Sequence, residues 1–361
     1  MASARVISFA RGVPSPDLLP VSQIAAAAQR ALAEDPAGTL AYGDGAGYAP
    51  LREWVAGRYG GEAGRVLLSN GSLQGLAFLA ETLFAGSGGR AIVEAPTYDR
   101  AILILRRFGA TVETVDLQPD GLDVDAIEAM CAAGRTPGLV YTISNFQNPG
   151  GATLSLAKRE RHVAHAREHG VHVLEDDPYG ELRFSGADLP SMFSLEGGEQ
   201  VIYSTSFTKT VAPGVRSGAM ILPAPLHARL RKLAIDTYIG PSMLAESTVY
   251  RYCAAGEFEP GVERMRAALR ERCDALTAAL DRHLGDRVRY VRPEGGYFLW
   301  IELPGVDADA LADRADAAGV PVVKGSSCYP DGRGREAIRL AFSACPAADM
   351  EEGIGRFARL V

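Results

Sequence analysis

From about residue 65 to 225, short apolar runs alternate with longer amphipathic ones. The apolar runs predict strands at Arg90–Ala95, Thr111–Val115, Gly138–Ile143, Val171–Glu175, Gln200–Ser204 and Ala219–Leu222. Between them, helical periodicity covers Ser72–Leu83, Asp99–Phe108, Asp123–Ala132 and Ser155–His169. Ser155 suits the cap of the last helix, and His169-Gly170 closes it. Strand and helix alternating at this spacing imply an α/β domain with a mainly parallel sheet. Such sheets bind ligands beyond the carboxyl ends of their strands.

After about residue 230 the pattern changes. Ser242–Ala255 and Pro260–Leu284 read as helices, the second too long and too charged for a sheet crossover. Strands are expected at Arg287–Arg292, Gly296–Glu302 and Ala337–Phe342, with a helix at Ala308–Ala318. That is a compact α+β unit, and the helix at Val21–Ala33 is expected to bring the N-terminal segment against it. The division expected is a large α/β domain over 41–240 and a small α+β domain from 241–361 with residues 1–40.

Composition narrows the function. With 361 residues, 47% hydrophobic and 22% charged, the chain can build a sizeable core. Its net charge of -7 argues against a nucleic-acid surface. No apolar run reaches the roughly 18 residues of a membrane helix. The start M-A-S-A-R-V-I-S-F-A does not resemble a secretory signal. Five scattered cysteines without C-x-x-C spacing suit reduced thiols, so the expected location is cytoplasmic.

Only four of the 37 basic residues are lysines: 158, 209, 232 and 324. Arginine stays protonated, whereas lysine can be shifted to a neutral, nucleophilic amine. Lys209, within the run Ser204–Gly218, therefore stands out as a candidate nucleophile. Four patterns adjoin strands or open a helix: G-S-L-Q-G at 71–75, N-P-G-G at 148–151, D-D-P-Y at 176–179 and S-F-T-K at 206–209. Each alone is weak; their order and strand context together are not.

With these motifs the chain resembles the aspartate-aminotransferase-like family of pyridoxal-phosphate (PLP) enzymes of fold type I. The closest branch is that of aminoadipate and kynurenine aminotransferases and the C-terminal domains of some transcription regulators. The likeness runs from F-A-R-G-V-P-S-P-D-L-L-P (9–20) through Y-G-D-G-A-G-Y-A-P-L-R-E (42–53), E-A-P-T-Y (94–98), N-F-Q-N-P-G-G (145–151), E-D-D-P-Y-G-E-L (175–182) and R-P-E-G-G-Y-F-L-W (292–300) to I-R-L-A-F-S (338–343). It implies a three-layer domain plus a smaller one, and transamination between an L-amino acid and a 2-oxo acid.

The resemblance also assigns residues. Lys209 forms the Schiff base with PLP, and Asp176 pairs with the pyridine nitrogen so that the ring can accept electrons. Asn148 and Tyr179 bond the ring's 3-hydroxyl oxygen, and Tyr98 stacks on the ring. Gly71, Ser72 and Leu73 at a helix start, with Ser206, Thr208 and Arg216, hold the phosphate. Tyr42 reaches the phosphate from the partner subunit of a homodimer. Arg339 clamps the substrate α-carboxylate, with Gly12 contacting it through its backbone.

Three positions depart from the family. Leu73 replaces a usual glutamine, leaving the part of Gln74 open, and Gly150 replaces the threonine of N-P-T-G. Arg11 replaces a glycine, and either reaches an acidic or polar substrate or makes a surface or inter-subunit ion pair. The same scaffold supports oxidation or hydroxylation with oxygen, and β- or γ-elimination or replacement. A non-catalytic PLP-binding sensor is the reading from another class, disfavoured because Lys209 and Arg339 are present and the regulators' winged-helix domain has no counterpart.

Other signals are set aside. His162, His165 and His169 share one helical face with i, i+3, i+7 spacing, but Lys158, Arg161 and Glu168 on the same helix suggest a solvated face, and no metal is expected. Gly43, Gly45 and Gly47 mimic a dinucleotide fingerprint without the preceding strand. Lys324 is a minor specificity candidate, and Cys328 is expected to pack rather than react.

Overall fold

The alternation of side chains along each strand sorts the apolar residues into two cores on opposite faces of one sheet. In this computed structural model, which describes residues 5–361, that sheet has eight strands. They are β1 (Val66–Ser69), β2 (Arg90–Ala95), β3 (Thr111–Gln118), β4 (Gly121–Leu122), β5 (Leu139–Thr142), β6 (His172–Asp176), β7 (Val201–Ser206) and β8 (Gly218–Ile221). Their order is β1-β8-β7-β6-β5-β2-β3-β4. The run from β3 through β2, β5 and β6 to β7 is parallel. β8 lies antiparallel to both β7 and β1, and β4 antiparallel to β3.

Ala91, Val93, Leu139, Tyr141, Leu174 and Ile202 enter one core with the helices Ser72–Phe84 and Asp99–Arg107. Ile92, Val140, Val173 and Val201 enter the other with the helices Val124–Ala132, Leu156–His169 and Met243–Ala254. The result is three layers, helices on both faces of the sheet. Each fully buried aliphatic side chain adds about 1.5–3 kcal/mol to that sandwich.

A second sheet, fully antiparallel, contains β9 (Arg289–Tyr290), β10 (Phe298–Glu302), β11 (Val323–Lys324) and β12 (Ala337–Ala341) in the order β11-β12-β10-β9. The N-terminal segment joins it through its backbone: Ile7 N donates to Gly319 O, and Ala341 N donates to Phe9 O. This seam brings Ala10 and Gly12 toward β12 and the strand ends of the large sheet. The following helix, Val21–Glu34, leaves this sheet and meets the first helix of the expected small unit instead. It packs on Met243–Ala254, and its Ala27 shares a core with Val249 beneath the large sheet.

Two differences from the sequence reading have physical causes. The helix Ala347–Ala358 was not foreseen, because Gly353 and Gly355 depress helical propensity. Gly353 is there for space: a Cβ would stand 2.7 Å from the Phe9 ring. The solvated histidine face is corrected. His162 is fully buried and His165 is 7% exposed, because the helix Leu156–His169 turns that part of the face onto the sheet, while His169 at its end is exposed as expected. Burial holds the His162 imidazole down at about 4, so it packs as a neutral ring. Arg159 on the same helix is also buried, donating to Leu154 O, Ser144 O and Asn145 Oδ1.

Candidate active site

A cavity of about 450 Å³ opens beyond the carboxyl ends of β5, β6 and β7, with the small sheet closing its side. Thirteen of the fifteen residues singled out from the sequence line it: Gly12, Gly71, Ser72, Leu73, Tyr98, Asn148, Asp176, Tyr179, Ser206, Thr208, Lys209, Arg216 and Arg339. Tyr42 and Arg11 do not. Tyr42 is 87% exposed. Arg11 is exposed as well and makes no ion pair among the described residues.

One end of the cavity is built for an anion. Ser72–Phe84 starts there with Gly71 as a cap that offers no side chain, leaving backbone N–H groups for a ligand. Gly71 has φ +90°, and a Cβ on it would stand 2.5 Å from Arg216 Nη2. Arg216 is itself in the left-handed region, φ +46°, after the turn Pro213–Val215. That turn folds the guanidinium back, so that Nη2 donates to Asn70 O and Nη1 reaches Thr208 Oγ1 at 3.5 Å. Gln74, left open by the sequence, is occupied elsewhere: its Oε1 accepts from Asn70 N.

At the floor, Asp176 ends β6. Its Oδ2 accepts from Tyr141 Oη at 2.8 Å, while its Oδ1 is buried with no hydrogen-bond partner. Burial lifts the Asp176 carboxyl to about 6 against the pull of the Tyr141 hydrogen bond; Asp177 lifts it further, while Ser204 and Lys209 oppose. Lys209, on the short helix Phe207–Thr210, places Nζ 2.5 Å from Gly12 O. Burial, then repulsion from Arg339 and Arg216, lowers its amine to about 8, with Asp176 opposing. Tyr297 Oη donates to Lys209 O and fixes the backbone of the lysine.

Arg339, on β12, crosses to the large sheet. Nη1 donates to Asn148 Oδ1 and Nη2 to Ala10 O, both at 3.0 Å. Its guanidinium carbon lies 4.3 Å from the Phe298 ring centroid, and its Nε is buried without a partner. Gly12 passes so close to Phe298 that any Cβ would overlap the ring. Asn148 is held from behind: Gln147 Nε2 donates to Glu94 Oε2 and Pro96 O, tying the Asn148 turn to the turn that carries Tyr98.

Sequence reasoning missed Tyr141, Ser204 and Arg100. A period of two would have found the serine, since Ser204 shares a face with Ser206 and is the register partner of Asp176. The same period makes Tyr141 a partner of Leu174, one side chain below the cavity floor. Arg100 follows Tyr98 and Asp99 at a helix start, and all three line the cavity. Its nearest carboxylate, Asp99, is 3.7 Å away. Lys324 is not in the lining; it pairs with Asp313. Cys328 lines the cavity, but burial pushes its thiol up to about 11, consistent with packing.

A doubly wound sheet with a desolvated lysine, a buried carboxylate and an anion cradle at its strand ends defines an enzyme that holds a phosphorylated ring cofactor. The family model for aminotransferase class I and II matches residues 4–357, and the chain belongs to that family. It is 36% identical to the 2-aminoadipate transaminase of Thermus thermophilus over 98% of this chain and 89% of the relative. It is 31% identical to aromatic-amino-acid aminotransferase 1 of Thermococcus litoralis, over 99% and 88%. Among solved structures, α-aminoadipate aminotransferase from Thermus thermophilus, complexed with N-(5'-phosphopyridoxyl)-L-leucine, superposes with a TM-score of 0.93 at 36% identity, covering 98% of this chain and 92% of that one.

The fold is thus that of the fold type I PLP enzymes, and the activity is PLP-dependent transamination. The cavity fits PLP on two observations independent of kinship. The orphaned Asp176 Oδ1 matches a protonated ring nitrogen, and the uncapped helix start with Arg216 matches the phosphate. No helix among the described residues is long and apolar enough to cross a membrane.

Proposed function

We propose that Lys209, Asp176 and Arg339 carry the reaction on a PLP held between the strand ends and the small sheet. The single observation that carries this is their convergence on one cavity with Asp176 Oδ1 and Arg339 Nε both buried and unpartnered. PLP bound there supplies an electron sink for the pair left when the substrate α-C–H bond breaks. Lys209 provides the amine that holds the cofactor and then carries a proton from the substrate α-carbon. Asp176 would keep the ring nitrogen protonated, Asn148 and Tyr179 would bond the ring's 3-hydroxyl oxygen, and Tyr98 would stack on the ring. Gly71, Ser72, Leu73, Ser206, Thr208 and Arg216 receive the phosphate. Arg339 takes the α-carboxylate in a fork, with Gly12 beside it.

The substrate side suggests an amino donor whose side chain ends in a carboxylate. Arg100 is the lining cation without a hydrogen bond among the described residues, since Lys209, Arg216 and Arg339 all donate to protein oxygens. The aminoadipate transaminase it resembles is named for such a donor. Spectroscopy of the cofactor with a panel of amino acids, with and without a 2-oxo acid and oxygen, tests the whole reading. Turnover that needs no 2-oxo acceptor would reject transamination. Arg100→Gln should cost acidic donors roughly tenfold in kcat/KM, with neutral donors within about twofold; an equal loss for both classes removes Arg100 from specificity.

We also infer a cytoplasmic homodimer in which Tyr42 reaches the partner's phosphate. Leu40, Tyr42, Ile239 and Leu244 are exposed apolar side chains. They lie on segments that meet near the phosphate end, where Ser242 N donates to Asn70 Oδ1. Sedimentation should give twice the chain mass of 38.3 kDa; a monomer that keeps its cofactor would exclude the shared site. The two-part division, 41–240 and 1–40 with 241–361, is supported by the two sheets falling inside those ranges. The helices Val21–Glu34 and Met243–Ala254 are the part of the second unit that reaches under the larger sheet.

A further inference from the structure

We propose that Tyr141 is a positioning residue for this reaction: its hydroxyl holds one oxygen of Asp176 and so presents the other to the cofactor's ring nitrogen. The proposal rests on the assignment of Asp176 to that nitrogen.

Tyr141 lies on β5, beside β6, and is fully buried. It is not in the cavity lining, so it meets neither substrate nor cofactor and acts only through Asp176. Its Oη stands 2.8 Å from Asp176 Oδ2, and no other hydrogen-bond partner competes for it among the described residues. A carboxylate with one oxygen engaged and one orphaned has a defined orientation. Turning it would break a charge-assisted bond.

The bond also sets charge. Asp176 is faced by Asp177 and Glu94, which disfavour its ionised form, by Lys209, which favours it, and by the phenols of Tyr98, Tyr141 and Tyr179. Burial and the two carboxyl groups drive Asp176 toward its protonated state. The opposing contributions are the Tyr141 hydrogen bond, the neighbouring Ser204 hydroxyl and the charge of Lys209, with Tyr141 the largest. Burial and the same carboxylate push the Tyr141 phenol far above its ordinary range, so it remains a donor. Without that donor, Asp176 takes up a proton at a higher pH and offers the ring nitrogen less anion near neutrality.

The test is Tyr141→Phe in the holoenzyme, with cofactor release followed by fluorescence after dilution from pH 6 to 9. Release at pH 7 should rise roughly tenfold to a hundredfold, and the deficit should narrow toward pH 9 as Asp176 ionises in both proteins. The pH midpoint of the visible band should move up by about one unit, because a less positive ring leaves the neighbouring imine nitrogen more basic. Ser204→Ala should shift both readouts the same way by less, and it supplies the test if the tyrosine variant folds poorly. A deficit equal at every pH with an unmoved band would mark Tyr141 as structural and overturn the proposal, as would wild-type behaviour. If Asp176→Asn leaves the band unmoved, the assignment of Asp176 fails instead.

Discussion

Lys209→Ala is expected to lose the visible absorption of protein-bound cofactor and to lower turnover by at least ~10²–10⁴-fold. The reason lies in the protonation state that the cavity imposes. With its amine lowered to about 8, mainly by burial and by Arg339 and Arg216, the neutral fraction at pH 7 is roughly 300 times that of an unperturbed lysine. The sign follows: attachment of PLP to apoprotein should accelerate about tenfold per pH unit below 8 and level off above it. Lys209→Arg separates the two roles of the side chain, since it keeps a cation and removes the nucleophile. It should behave like the alanine variant in the visible spectrum while retaining phosphorylated ligand better. A visible band and near-normal turnover in Lys209→Ala would transfer the chemistry to another residue.

Much of this site was legible because its residues are local in sequence. The runs 71–73, 148, 176–179 and 206–216 each sit where a strand or helix ends, and the α/β alternation fixes those ends on one edge of the sheet. What was not legible depends on the third dimension. Tyr141 is an ordinary strand residue until β5 and β6 are set side by side. Arg100 is an exposed charge at a helix start, and only the folded arrangement shows that this helix start borders the cavity. His162 misled in the other direction. A helix rich in charge reads as solvated, yet Arg159 finds backbone oxygens and Asn145 inside, so polar residues could be buried on its inner face. The N-terminal segment shows the same limit, since Phe9 pairs with a strand more than 300 residues away.

Asp176→Asn should still take up PLP through Lys209, with faster release than wild type, and should slow amino-group transfer on the order of 10²–10³-fold, the scale set by loss of one preorganised electrostatic contact. Asparagine keeps the shape and can still accept from Tyr141 Oη, so the orientation of the side chain survives. What changes is charge: an amide donates to an unprotonated ring nitrogen, where a carboxylate keeps that nitrogen protonated. The defect should therefore appear in single-turnover rates with a good amino donor, with kcat reduced and KM little altered, because Arg339 and the phosphate cradle are untouched. Wild-type protein should also lose cofactor affinity as pH falls through about 6, where the buried Asp176 carboxyl takes up its proton. The asparagine variant has no such group and should show a flat profile there. If instead Asp176→Asn retains wild-type half-reaction rates and the same acid limb, the anion that supports the ring is another group, with Asp177 and Glu94 as the nearest buried carboxyls.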